Sequence, residues 1–415
     1  MTSSKASLRF GEFVTLTAVL MAIQAIAIDA MLPALPGIGR ELLTAGDNRV
    51  QWVVTAYVLG LGAGQLFWGS LSDRFGRRPV LVTGLTVYGI AALACALTRS
   101  FETLLVLRLV NGLAAACAVV VRSVIRDLYS GRSMARVMSL TFIVFMVIPI
   151  LAPTMGQLIL MAWPWRAIFV LFSVFSTLAL LWAMLRLPET LPIERRQSLS
   201  PRHLVEAAGI ALGNRISLGY TLAVAVTFGS VLSYVGTAPQ IFGVTFGRLS
   251  WLPGMFALCA MSMSVASYVN SRLVERLGMR FISHSALLVS LAVALAHLLV
   301  ALEGHERLWT FVVFQSLSMG CFGLMVSNFG AMAMEPAGAV AGAAASLQGF
   351  VTTSGAAVIG AAIGKAFDNS TLPFTVGALC CSVGCLVFVL AAEKGRLFQS
   401  QAGPPHAPLA DGAHG

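Results

Sequence analysis

An all-α integral membrane protein, with twelve transmembrane helices in two six-helix bundles, is the fold this sequence predicts. Three observations predict it. The 415 residues are 58% hydrophobic and only 11% charged, whereas roughly a quarter of an ordinary soluble domain is charged. Twelve apolar runs of about 20 residues, the length that crosses a bilayer, follow one another along the chain. Lys and Arg crowd into alternate joints between those runs. A soluble globule is excluded, because there are too few ionisable groups to cover its surface. The net charge of +10 and the pI near 9.7 follow from the joint bias, so no nucleic-acid partner is needed to explain them.

In order, the runs cover about 12–36, 50–72, 79–98, 102–126, 137–161, 166–186, 215–242, 249–271, 281–302, 308–334, 338–365 and 370–392. The first is too long for a removable signal and leads into the second without a small-residue cleavage site. Only the first and fourth carry charge away from their ends: Asp29 in one, Arg108 and Arg122 in the other. The second contains GLGAG (60–64), whose glycines permit close helix approach rather than cradle a phosphate. The seven cysteines all lie in apolar runs without metal spacing and read as packing residues. His284 and His297 are lone residues in the ninth run and read as satisfied or interfacial histidines. Neutral polar and aromatic residues inside apolar spans are candidate ligand contacts. They include Tyr57, Gln65, Asn111, Ser233, Tyr234, Gln240, Gln315, Asn328, Gln348 and Thr352, of which Tyr57, Asn111, Tyr234, Asn328 and Gln348 form the predicted substrate-binding set.

With the N-terminus inside, 18 Lys and Arg fall in inner segments and 7 in outer ones. That bias places both termini in the cytoplasm. The longest polar joint, about 188–214, divides the chain into a first bundle (1–187), a cytoplasmic linker (188–214), a second bundle (215–394) and a disordered tail (395–415). An internal echo supports the division. Asp73-Arg74-Phe75-Gly76-Arg77-Arg78 follows the second run, and Glu275-Arg276-Leu277-Gly278-Met279-Arg280 follows the eighth, 202 residues later. Parallel six-helix repeats are a transporter architecture.

Asp29 and Arg108 are the most informative residues. Each costs at least ~2.5–3.5 kcal/mol near a helix centre unless buried in protein or facing water. Asp29 lies about seven residues from the outer end of its span, and Arg108 about six from the outer end of its own. Both therefore sit roughly 9–11 Å below the outer boundary. Opposite charges at one level imply an ion pair or a shared cavity. A static pair that fixes helix register is one outcome. The other is a coupling acid, because loss of water favours a neutral carboxyl and a nearby guanidinium favours the charged form. Arg122, fourteen residues after Arg108, faces nearly the same side of its helix; it either lines the inner mouth or snorkels to headgroups.

The stretch GSLSDRFGRRP (69–79) resembles the loop signature of the major facilitator superfamily, matching at Gly69, Asp73, Arg74, Gly76, Arg77 and Arg78. DAMLPALP (29–36), LRLVNG (107–112), IRDLY (125–129), Pro149, Ala152-Pro153, Gly156 and SNFGAMAMEP (327–336) narrow the resemblance to the bicyclomycin-resistance branch of the twelve-span drug:proton antiporters. Asn111 stands where the branch usually has Gln, and Gln157 where the antiporter pattern has Gly. The resemblance implies that Asp29 and Arg108 couple protons, and that Pro153 and Gly156 belong to the antiporter helix. It also implies a conformational switch formed by the 69–78 loop with Asp127, a network that stabilises the outward-open state, with Glu275 and Arg276 as its weaker mirror.

The expected function is proton-coupled efflux of small amphipathic, drug-like molecules by alternating access. Export of an endogenous amino acid or peptide-like metabolite is the alternative within transport, and a non-transporting receptor the alternative outside it. No Walker sequence, zinc motif or Ser/His/Asp set occurs, so neither an enzyme nor a cofactor is expected. The expected partners are a small-molecule substrate, protons and lipid. The chain is expected to be a monomer in a bacterial inner membrane.

Overall fold

The computed structural model describes residues 9–43, 49–129, 131–196, 209, 213–304, 306–336 and 341–398. Most of the expected linker and nearly all of the expected tail lie outside these residues. Twelve long helices carry the fold: α1 Phe10–Leu42, α2 Trp52–Phe75, α3 Arg77–Leu97, α4 Phe101–Leu128, α5 Gly131–Ala162, α6 Arg166–Arg186, α7 Arg215–Thr245, α8 Leu249–Leu277, α9 Met279–Leu302, α10 Leu308–Met334, α11 Ala341–Lys365 and α12 Leu372–Ala392. Eleven are long and apolar enough to cross a membrane. The twelfth, α5, is 32 residues long and ends in the apolar stretch Leu151–Ala162. Large apolar side chains such as Met161, Leu185 and Leu97 stand exposed on the outside of the helices, as a lipid-facing surface requires.

Local chemistry sets the ends. Ser100 caps α4 by accepting from the Thr103 N–H, and Asn214 caps α7 by accepting from Ile216 and Ser217. Pro253 and Pro373 stand in the first turns of α8 and α12, where a missing N–H costs nothing. One residue joins α2 to α3: Gly76, at φ 101° and ψ 157°. Its counterpart Gly278, at φ 80° and ψ 153°, alone joins α8 to α9. A side chain would strain either position, so the sequence echo is also a backbone echo.

Packing repeats in the same way. In the first half α1 packs on α5, α2 on α4, α3 on α4 and α3 on α6; in the second, α7 packs on α11, α8 on α10, α9 on α10 and α9 on α12. Between the halves, α2 packs on α11 and its counterpart α8 on α5. The glycines of α2 allow this helix to touch both halves. Gly60 meets the Leu109 carbonyl, Gly64 meets Leu113 and Ala116, and Gly112 of α4 meets the Tyr57 carbonyl, all too close for a Cβ. Gly62, on the other side of α2, faces Ser354 of α11. One turn on, Gln65 Nε2 donates to Thr353 Oγ1 across the halves at 3.2 Å.

Helix parity puts the start of α1 and the end of α12 on one face, called here the terminal face. At the opposite, far face the halves meet again, where α7 packs on the Leu32–Ala34 turn and the Leu35–Leu42 segment of α1.

Candidate functional site

The site is built on a break in α1. Its first segment, Phe10–Asp29, stops at Asp29; a 3-10 turn at Leu32–Ala34 and a short helix at Leu35–Leu42 follow. Pro33 and Pro36 cannot donate to a regular ladder. The Met31 N–H, which would bond the Ala27 carbonyl in a continuous helix, turns to Ile28 instead. Ala27 is left with an acceptor to satisfy.

Arg108 of α4 satisfies it. Its Nη2 donates to the Ala27 carbonyl, its Nε to the Val53 carbonyl and its Nη1 to Asn111 Oδ1, each at 3.1 Å. The guanidinium carbon lies 4.3 Å from the Tyr57 ring centre and 5.8 Å from that of Phe169, distances at which a ring face attracts a cation. Asn111 Nδ2 donates in turn to the Tyr88 carbonyl at 3.1 Å. The Tyr57 hydroxyl donates to the Gln24 carbonyl at 3.2 Å, and Gln24 Nε2 to the Ala115 carbonyl at 3.1 Å. One fully buried cation thus ties α1, α2, α3, α4 and α6 together.

Asp29 lies two residues beyond Ala27 and is buried, at 7% exposure. Among the described residues its carboxylate has neither a hydrogen bond nor an ion pair, so the direct pair with Arg108, one of the two arrangements expected, is absent from this state. Arg108 reaches the acid's own helix through the backbone instead. Gly156 of α5 packs on the next residue, the Ala30 carbonyl, too closely for any Cβ. Pro153, one turn earlier in α5, is buried as well. The α1 break and the α5 motif are therefore one contact.

The other candidates fall in several places. Tyr57 and Asn111 belong to the Arg108 cage. Tyr234 is 2% exposed and stacked on Phe256 with ring centres 5.5 Å apart. Asn328, also buried, donates to Asn270 Oδ1 at 2.7 Å and to the Leu324 carbonyl at 2.8 Å. Gln348 is half-buried and donates to the Gly330 carbonyl at 3.3 Å. Arg122 is exposed. His284 and His297 are both satisfied, by Tyr220 and the Phe398 N–H in one case and by Glu306 in the other.

A second cluster occupies the terminal face. Arg77, 3% exposed, donates to Asp73 Oδ1 at 2.5 Å, Ser72 Oγ at 2.7 Å and Asp127 Oδ2 at 3.0 Å. Arg77, and not Arg78, is thus the partner of Asp127. Arg78 donates from its side chain to the Met184 carbonyl, and Arg74 lies over the Phe75 ring. Gly69 faces Ser346 of α11 across the halves. Glu189, which sequence reasoning passed over, accepts from the Arg77 N–H at 2.9 Å and the Arg78 N–H at 3.3 Å. It caps the positive end of α3. The only available signal was its place in the Pro-Glu-Thr run just after the sixth span. Its counterpart Glu393 follows α12 and accepts from Arg280 Nε at 2.8 Å, while Arg280 also reaches Glu335 at 3.3 Å. Each half therefore sets an arginine at the start of its third helix against carboxylates at the ends of its fourth and sixth.

Two repeated helical halves, each clasped on one face and tied in the first half around a buried cation, have the architecture of a polytopic membrane transporter. The sequence matches the Major Facilitator Superfamily over residues 17–361, and the chain belongs to that family. It is 28% identical over 389 residues to a bicyclomycin resistance protein homolog of Haemophilus influenzae, covering 92% of this chain and 96% of that one. It is 28% identical over 385 residues to the multidrug resistance protein MdtL of Klebsiella pneumoniae, covering 90% and 93%. Its fold is similar to the partially occluded inward-open xylose transporter XylE of E. coli, with a TM-score of 0.70 at 10% identity, covering 94% and 98%.

Proposed function

We propose that the chain is a proton-coupled exporter of small amphipathic, drug-like molecules, working by alternating access as a monomer in a bacterial inner membrane. The terminal face is the cytoplasmic one. Asp29 is the coupling acid. It takes a proton when the cavity opens to the far side, as substrate leaves, and gives it up when the cavity opens to the cytoplasm.

One observation carries this reading: a buried carboxylate without a partner among the described residues, at a helix break, two residues from a carbonyl held by a buried cation. A structural acid inside a membrane protein is paired. An acid left unpaired beside a fixed charge can exchange a proton at little structural cost. Arg108 is then the fixed charge that orients the break, and the Arg77 and Glu189 clasp holds the terminal ends of α2, α3, α4 and α6 as one moving body. The names of the relatives support a drug-like substrate.

The test is expression in a bacterium stripped of its own pumps, with a panel of antibiotics and metabolites assayed with and without an uncoupler. Uncoupler-sensitive resistance to amphipathic compounds supports the proposal. Efflux indifferent to collapse of the proton gradient refutes the coupling, and a panel in which only metabolites are moved refutes the substrate class.

A further inference from the structure

At the far face a small cavity of about 10 Å³ lies between the halves. Val54, Thr55 and Val58 of α2, Leu232 and Gly236 of α7, and Ala357, Gly360 and Ala361 of α11 line it, together with Gln51 at the start of α2. Gln51 is 2% exposed, and neither Oε1 nor Nε2 has a partner among the described residues. Its amide does not cap α2. Its backbone carbonyl accepts from the Val54 and Thr55 N–H groups and from the Thr55 hydroxyl. The side chain lies instead against two glycines of the other half, Gly364 and Gly236. The cavity is at the lower limit for one water, and a stable buried water needs two to four polar partners.

A primary amide with two donors and an acceptor is therefore pressed into a seal made of apolar side chains, glycine backbone and one threonine whose hydroxyl donates to the Gln51 carbonyl. Nothing within α2 puts it there, because the contact exists only while the halves are together at this face. When they part, water reaches the amide. The desolvation penalty thus belongs to one conformational state alone.

We propose that Gln51 is the release residue of the far-face gate, a polar group built into the seal so that the closed state is not too stable to leave. The idea rests on the alternating-access reading above and deepens it. An unpaired amide shifts the balance between far-closed and far-open states by about tenfold toward opening. Glycines at 236 and 364 make room for the amide without a clash, so the seal still forms.

Hydrogen–deuterium exchange on the full-length protein in lipid nanodiscs tests this. Gln51→Leu and Gln51→Met keep the volume and remove the amide. Both are expected to slow exchange about tenfold in far-face peptides of α7 and α11 (232–240 and 356–365), to leave terminal-face peptides equal or faster, and to lower turnover. Gln51→Glu, a more strongly hydrated group, is expected to speed far-face exchange. Far-face exchange unchanged in both apolar variants overturns the proposal. Slowing at both faces together also overturns it, because that pattern is general stabilisation. A wild-type protein whose exchange at neither face responds to substrate at fixed pH refutes alternation itself, and the gate with it. Alternation in the wild type without a response to the apolar variants refutes the gate alone.

Discussion

Arg108 holds the helix of Asp29 by a backbone carbonyl, that of Ala27 two residues away, and leaves the carboxylate itself alone. The guanidinium reaches the chain two residues from the acid, yet the two charges do not neutralise each other in this state. The cation is satisfied by two carbonyls, one amide oxygen and a ring face. The arginine can therefore fix the α1 break whether or not Asp29 carries a proton. A direct ion pair would tie register to protonation; this arrangement separates them.

Asp29→Asn is expected to fold, because nothing in the described structure depends on a charge there. It should lose efflux driven by a pH gradient, down to the level of vesicles lacking the protein, while substrate still binds. Everted vesicles with an imposed gradient check this. Gradient-driven efflux at the wild-type rate would remove Asp29 from the coupling step.

Arg108→Ala leaves the Ala27 carbonyl and Asn111 Oδ1 buried without their donor and takes from the Val53 carbonyl its bond from outside the helix. An orphaned buried acceptor costs about 1–3 kcal/mol, so the loss of stability should exceed ~2 kcal/mol and transport should cease. Arg108→Lys restores charge without the planar fork and should recover only part of the loss. Thermal unfolding in detergent, read beside transport at matched expression, measures both variants. Equal stability of Arg108→Ala and wild type would contradict the cage.

Gly156→Ala puts a methyl group into the Ala30 carbonyl. The α1–α5 contact must widen at the break, with a cost of about 1–3 kcal/mol and a large fall in transport. Gly320→Ala, also within a helix but with open space around it, is the control and should be neutral. If both variants behave alike, the close approach is unimportant.

Glu189→Ala frees two N–H groups at the start of α3 and removes a negative charge from its positive end, worth about 0.3–1 kcal/mol at an exposed helix end. Turnover should fall while substrate affinity stays unchanged, because the residue touches the clasp and not the cage. Asp73→Asn should act in the same direction more weakly, since Arg77 keeps Asp127 and Ser72. Binding measured beside transport rate separates the two effects.

Much of the architecture was legible because it is written in side chains. Apolar runs marked the helices, and Gly60 and Gly64 marked a close helix approach, whose partner α4 only the fold supplies. The loop at 69–78 marked the clasp, and its echo at 275–280 marked the repeat. What escaped was written in the backbone. Arg108 bonds the Ala27 and Val53 carbonyls, and a carbonyl has no letter in a sequence. The α1 break could be suspected from Pro33 and Pro36, but not the turn of the Met31 N–H that frees Ala27. Gly156 was found by its motif, and its contact with Ala30 only by the fold. Glu189 was hidden by distance, since 112 residues separate it from the N–H groups it caps.

The paired clasps have a consequence for how the polypeptide is assembled. Arg77 with Asp127 and Glu189, and Arg280 with Glu335 and Glu393, each close inside a single half. What joins the halves is mostly surface against surface: α2 on α11 and α8 on α5. Each half is therefore expected to mature as its own module, its clasp closing without help from the other.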